Sequence, residues 1–309
     1  MFANTSDTMS PDRSKSTGSK EDQIVAVMGP TGAGKSTFIQ HATGQNDQNI
    51  GHGLQSCTSN IRTINTFHPT TGCPMVFVDT PGFDDTYMSD MEILATIAEW
   101  LVKTYKKVNL TTIIYLHKIS DNRATGSVLK NLEVFREMCG QKAMPNVVMA
   151  TTMWSKVSEE EGRRREEELT EKFWNDLVAN GCKVERFEDT HKSAWNIVDG
   201  LAGSSRAEVL LPQEIVDNRL RLNETKAGVV LTKVLKKLIK DRKDAARRLS
   251  KLAKQNQDNT QVRKELHEIE EKIRDIVKRL NEMRVPFTRK MWIFLMGKNY
   301  IPRSLQDIG

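Results

Sequence analysis

The chain has 309 residues, 38% hydrophobic and 28% charged, with a net charge of +6 and a high share of charge for an otherwise ordinary soluble composition. Its apolar run at 291–297 is far too short to span a bilayer. Four well-separated cysteines without a C-x-x-C pair and six scattered histidines argue against a disulfide scaffold or a metal cluster. The charge is unevenly placed: residues 225–309 hold 22 Lys/Arg against 10 Asp/Glu (+12), leaving 24 against 30 (−6) for residues 1–224.

Residues 1–22 are polar, carry three Asp and one Glu, and read as a disordered tail rather than a secretory or transit signal. From 23 to 202, short β-rich runs alternate with helix-like segments, the pattern of a mostly parallel sheet sandwiched by helices. Strands are expected at 24–28, 61–67, 74–79, 111–117 and 146–151, with a weaker one at 183–187. Helices are expected at 35–42, 89–106, 127–139, 158–180 and 194–201. The helix at 158–180 is so polar over EEEGRRREEELTEK that it should be mostly solvated.

GLAGSSRAE (200–208) closes this domain, and 203–224 reads as a connecting linker or helix. Beyond it, two apolar series with 4/3 spacing run from Leu231 to Leu252 and from Val262 to Met283. They slip phase across QNQDNT (255–260). A basic helical region over 225–285 follows, either one interrupted coiled coil or a helical hairpin, with the hairpin favoured. Residues 286–309 form a basic amphipathic tail, mixing Trp292, Phe294, Leu295 and Met296 with Arg289, Lys290 and Lys298. The basic region suits a protein partner or an anionic membrane surface; no motif points to specific nucleic acid.

The first chemistry lies at Gly29-Pro30-Thr31-Gly32-Ala33-Gly34-Lys35-Ser36, followed by Thr37. It fits G-x-x-x-x-G-K-[ST] at every fixed position, between the strand QIVAVM and the helix KSTFIQHA. Glycines let successive N–H groups point into one concavity, and the helix N-terminus adds positive charge. Lys35 should reach the β- and γ-phosphates, and the Ser36 hydroxyl should ligate Mg²⁺. DTPG (79–82) ends the next strand but one, so Asp79 is expected to hold the metal through water and the Gly82 N–H to sense a γ-phosphate. Thr58, 23 residues after Lys35, is spaced to complete the metal shell as an order–disorder switch.

Together GPTGAGKST, SCTSNIRT, VDTPGFDD and SAW (193–195) resemble the septin-like P-loop GTPases. The closest likeness is to fungal G-domain proteins related to the immune-associated (AIG/GIMAP-type) family and the plastid-import receptors. The resemblance covers residues 23–202 and implies GTP or GDP with Mg²⁺, a nucleotide-dependent homodimer through the G-domain face, and a cytoplasmic or peripherally membrane-associated protein.

In Ras-like enzymes the residue after DxxG is a water-orienting Gln; here it is Phe83, whose side chain makes no hydrogen bond, so slow hydrolysis is expected. Asp84 and Asp85 read as solvated carboxylates or as groups that orient water. The import receptors imply for Arg123 a role toward a partner's nucleotide; an ordinary loop pairing with Asp121 stays open. Guanine-reading relatives end this strand in Thr-x-x-Asp, aligned with Thr152-Met153-Trp154-Ser155, which puts a neutral hydroxyl where a carboxylate would read the base. Trp154 is a candidate to stack on the purine or to pack in the protein. Ser193-Ala194-Trp195 is aligned with the second base-reading loop, where a backbone N–H meets the guanine O6. The expectation is a slow GTPase with reduced base selectivity; the alternative is a GTP- or ATP-binding scaffold acting through its helical tail.

Overall fold

Alternation along β1 (Gln23–Met28) sets the layers: Ile24, Ala26 and Met28 face one core, Val25 and Val27 the other. The computed structural model describes residues 22–45, 60–84, 89–121, 126–201, 205–255 and 260–283. Its further strands are β2 (Arg62–Phe67), β3 (Pro74–Asp79), β4 (Asn109–Lys118), β5 (Val147–Thr152) and β6 (Lys183–Arg186). They form one sheet in the order β2-β3-β1-β4-β5-β6, parallel except for the β2–β3 pair.

The helices are α1 (Lys35–Thr43), α2 (Asp90–Thr104), α3 (Gly126–Cys139), α4 (Glu159–Glu168), α5 (Asn175–Ala179), α6 (His191–Asp199), α7 (Leu210–Val216), α8 (Lys226–Gln255) and α9 (Thr260–Met283). α1 and α6 cover one face through Phe38, Ile39, Trp195 and Ile197; α2, α3, α7 and the start of α8 cover the other. α2 starts on a capping box, with Ser89 and Glu92 each satisfying the other's backbone N–H. Among the described residues, no helix is long and apolar enough to cross a membrane.

Two expectations need correction. The helix at 158–180 is not continuous. After α4 a π turn over Leu169–Phe173 puts the Trp174 N–H on the Leu169 carbonyl at 2.8 Å. The extra residue brings Trp174 into the core, which a regular helix from Leu169 would not do. α4 itself is mostly solvated, as expected, and is anchored at two points: Glu166 pairs with Arg186 at 2.5 Å, and Arg165 donates to the Ile119 carbonyl at 2.9 Å.

Residues 205–224 are part of the core rather than a mere connector. The Ala207 N–H donates to the Leu110 carbonyl at 2.7 Å, and Ala207, Val209, Leu211, Ile215 and Leu222 are buried. Buried Glu214 accepts the first amide of α8, Lys226 N–H, at 3.2 Å. Ala227 and Leu231 of α8 belong to the same core. α8 continues along α3, and α9 packs back along α8 as far as Leu222–Glu224, giving the antiparallel hairpin.

Candidate nucleotide-binding site

The loop after β1 turns where only glycine fits. Gly29 has φ +139°, and a Cβ on it would lie 2.4 Å from the Leu116 carbonyl oxygen of β4. Pro30 and Ala33 are buried; Gly32 and Gly34 take left-handed φ. Gly34 is the N-cap of α1, and no side chain caps that helix. An uncapped, positive helix end behind a glycine-rich turn is the arrangement that binds phosphate.

Lys35 is buried, and its Nζ donates to the carbonyls of Gly29 (3.2 Å) and Pro30 (3.0 Å), so the ammonium lies across the loop. Ser36 Oγ donates to Asp79 Oδ2 at 2.7 Å, placing a hydroxyl beside a carboxylate. These are the hard oxygen donors that Mg²⁺ accepts. Among the described residues no three His, Cys, Asp or Glu side chains gather to hold a metal, so a cation here would rely on phosphate and water oxygens as well. Half-buried Thr37 sits in the first turn of α1.

The segment after β3 is bound to this loop. Thr80 Oγ1 donates to the Val27 carbonyl at 2.9 Å. A Cβ on Gly82 would come within 2.6 Å of Thr31 N and 2.7 Å of Lys35 Nζ. The Thr31 N–H donates to the Phe83 carbonyl at 2.8 Å, and Thr31 Oγ1 to the Gly82 carbonyl at 3.1 Å. The Phe83 ring is fully buried, out of reach of any water it would have to orient.

Asp84 is exposed yet tethered. It takes φ +59°, its N–H donates to Asp90 Oδ1 at 3.0 Å, and its Oδ2 accepts Asn131 Nδ2 at 2.9 Å. Lys130 bridges Asp90 and Asp84. This latch ties the segment after DTPG to α3. No local pattern announces Lys130 or Asn131, because their partners lie 40 or more residues away. Thr58, Asp85 and Arg123 lie outside the described residues; Asp121 pairs with Lys118 at 3.3 Å.

At the base side, the carboxyl end of β5 is fastened to the phosphate loop: buried Thr152 donates through Oγ1 to the Ala33 carbonyl at 3.0 Å. Met153 takes φ +63° and passes under Gly34; Ser155 is exposed on the following turn. Trp154 is not placed for stacking on a purine. Its Nε1 donates to Thr151 Oγ1 at 3.0 Å, the Arg186 guanidinium lies 4.1 Å from its ring centroid, and Gly162 of α4 leaves no room for a Cβ beside it.

Ser193-Ala194-Trp195 does not form a base-reading loop either. These residues are buried in α6, where the Ser193 N–H donates to the N-cap Thr190 Oγ1 and the Ala194 N–H to the Thr190 carbonyl, both at 3.0 Å. Trp195 is a core side chain whose Nε1 donates to the Ala42 carbonyl at 2.8 Å. Nearby, burial lowers the pKa of His117 to about 4, with the ring 5.8 Å from that of Trp174.

Residues 24–152 match a family model described as 50S ribosome-binding GTPase. The fold is that of a P-loop GTPase domain. The matched segment runs from the first strand through the phosphate loop and DTPG to Thr152. No curated protein sequence matches the chain.

Among solved structures, the chain is similar to a bacterial selenocysteine-specific elongation factor, EF-Sec. Identity is 17%, over 59% of this chain and 28% of that one, with a TM-score of 0.44. Toc33 from Arabidopsis thaliana, solved with Mg²⁺ and GMPPNP, matches at 14% identity over 69% of this chain and 85% of its own, with a TM-score of 0.42. Era, solved with MgGDPNP and part of 16S ribosomal RNA, matches at 15% over 62% and 59%, with a TM-score of 0.45. The chain thus spans under a third of the elongation factor and about three-fifths of Era.

Proposed function

We propose that this P-loop GTPase domain binds GTP·Mg²⁺ and hydrolyses it slowly, as a switch. One observation carries the reading: an uncapped helix end, the Lys35 ammonium and the Ser36–Asp79 pair converge on one glycine-rich turn. Lys35 would neutralise the β/γ-phosphates and Ser36 would ligate Mg²⁺, with Asp79 behind it; the cation would supply charge neutralisation at the transferred group. The contacts of Thr31 with Gly82 and Phe83 join the phosphate loop to the segment that would sense a γ-phosphate, and the Asp84 latch carries that segment to α3.

Because Phe83 is buried, efficient turnover needs a group supplied from outside the described site. A second copy docked at the nucleotide face, with Arg123 as its contribution, fits that need. The proposed setting is cytoplasmic, with peripheral attachment to a membrane.

Calorimetric titration with GTP and ATP in the presence of Mg²⁺, and turnover measured across protein concentration, test the reading. The expected result is GTP binding with turnover per molecule that rises with concentration. Absence of heat with either nucleotide would overturn it. A second reading, a scaffold that accepts GTP or ATP without useful turnover, draws support from the base side. There Ser155 offers no carboxylate, and Trp154 and residues 193–195 are engaged elsewhere. Equal binding of both nucleotides with flat, negligible turnover would select it.

A further inference from the structure

We propose that the exposed face of α8 is a docking surface for an anionic lipid membrane. The positive charge of the hairpin belongs to one helix: α8 has eleven Lys/Arg against two Asp, whereas α9 has six against six. At 100° per residue, Lys233, Lys237, Lys240, Lys243, Arg247 and Lys251 fall within an arc of about 120° and extend for about 27 Å along the axis. All six are exposed. Among the described residues Arg247 alone of the six has an ion pair, a solvated one with Asp244 at 3.3 Å. The opposite side of α8 is occupied, with Leu231 in the core, Leu235 packed against it and α9 along it. Such a helix cannot roll its apolar side into a bilayer, so contact would be at headgroup level.

Three observations favour lipid over other polyanions. A one-sided row of cations, interrupted only by Asp244, meets a planar surface with its charges together. α8 contains no Phe, Tyr or Trp, so it offers no ring on which a nucleic-acid base could stack. The sequence after α9 supplies apolar and aromatic residues among basic ones (285–303), and stable peripheral attachment takes two signals, one basic and one apolar. The inference does not depend on the identity of the nucleotide.

The test is co-sedimentation of the full chain with phosphatidylcholine vesicles, with and without phosphatidylserine, at low and high salt. Binding is expected only with phosphatidylserine and should be lost at high salt. A Lys237→Gln/Lys240→Gln/Arg247→Gln variant should partition about 100-fold more weakly, since each basic residue near an anionic surface contributes about 1 kcal/mol. Its helical circular dichroism and its nucleotide titration should match the parent, which separates failure of this inference from failure of the nucleotide reading. Four outcomes would overturn it: unchanged binding by the variant, equal binding to neutral vesicles, displacement from vesicles by an RNA duplex at equal phosphate, or a dimer that forms through these residues and leaves vesicles untouched.

Discussion

At the phosphate end of the candidate site the working groups are backbone amides, one ammonium and one hydroxyl, all within eight consecutive residues. At the base end they would be one side chain, a stacking ring and one backbone N–H, on two segments 38 residues apart from Ser155 to Ser193. The first end has every part the motif requires. The second has a hydroxyl in place of a carboxylate, and its aromatic and loop candidates are committed to internal packing. Phosphate binding uses geometry that any residue's backbone can supply once glycines permit the turn, so it is robust to drift. Base selectivity rests on individual side chains and is lost one substitution at a time.

The harshest way to break the phosphate end is Gly29→Ala. Its Cβ would meet the Leu116 carbonyl and its φ would be strained, so stability in urea should fall by about 4 kcal/mol. A fall below about 1 kcal/mol would mean that the turn has another shape.

Acid tests the strands that carry both ends. His117 is buried and neutral in the fold, with its pKa lowered to about 4, whereas the unfolded chain holds it near 6.5. The unfolded state therefore takes the proton first. This contribution is intact above pH ~6.5 and shrinks as pH falls toward 4, by about 3 kcal/mol in all. Urea melts across that range should show the loss in the parent and a flatter profile in His117→Leu.

Lys35→Ala should weaken triphosphate binding by about 2–3 kcal/mol, or about 100-fold, with little change in fold. Calorimetry that finds parental affinity would detach the ammonium from the phosphate reading. The base end should respond less. Ser155→Asp should raise the preference for GTP over ATP by about 1–2 kcal/mol if that turn meets the base. Trp154→Ala should leave nucleotide affinity unchanged while reducing stability by about 1–2 kcal/mol through the lost Arg186 contact. A drop in affinity for purine nucleotides would reverse our placement of that ring.

The same division explains what could be read in advance. Each expected strand is present with its ends shifted by no more than two residues, because period and turn residues act locally. The phosphate loop was equally plain, since its spacing is its mechanism. Trp154 was ambiguous because Gly162 and Arg186, which hold it, are invisible from its own neighbourhood. SAW misled because the helix start depends on Thr190 as cap, three residues upstream of Ser193. The π turn had no pattern of its own: only the demand to bury both Leu169 and Trp174 reveals it.

The way residues 205–231 complete the core decides where this molecule can be cut. A fragment ending at 202 would bare the flank of α3 and remove the segment whose Ala207 N–H binds the Leu110 carbonyl, leaving a sticky half-protein. Stopping beyond Leu235 instead would retain that buttress and shed most of the C-terminal region's positive charge. The hairpin is therefore half keystone and half outrigger, with the seam inside a single helix.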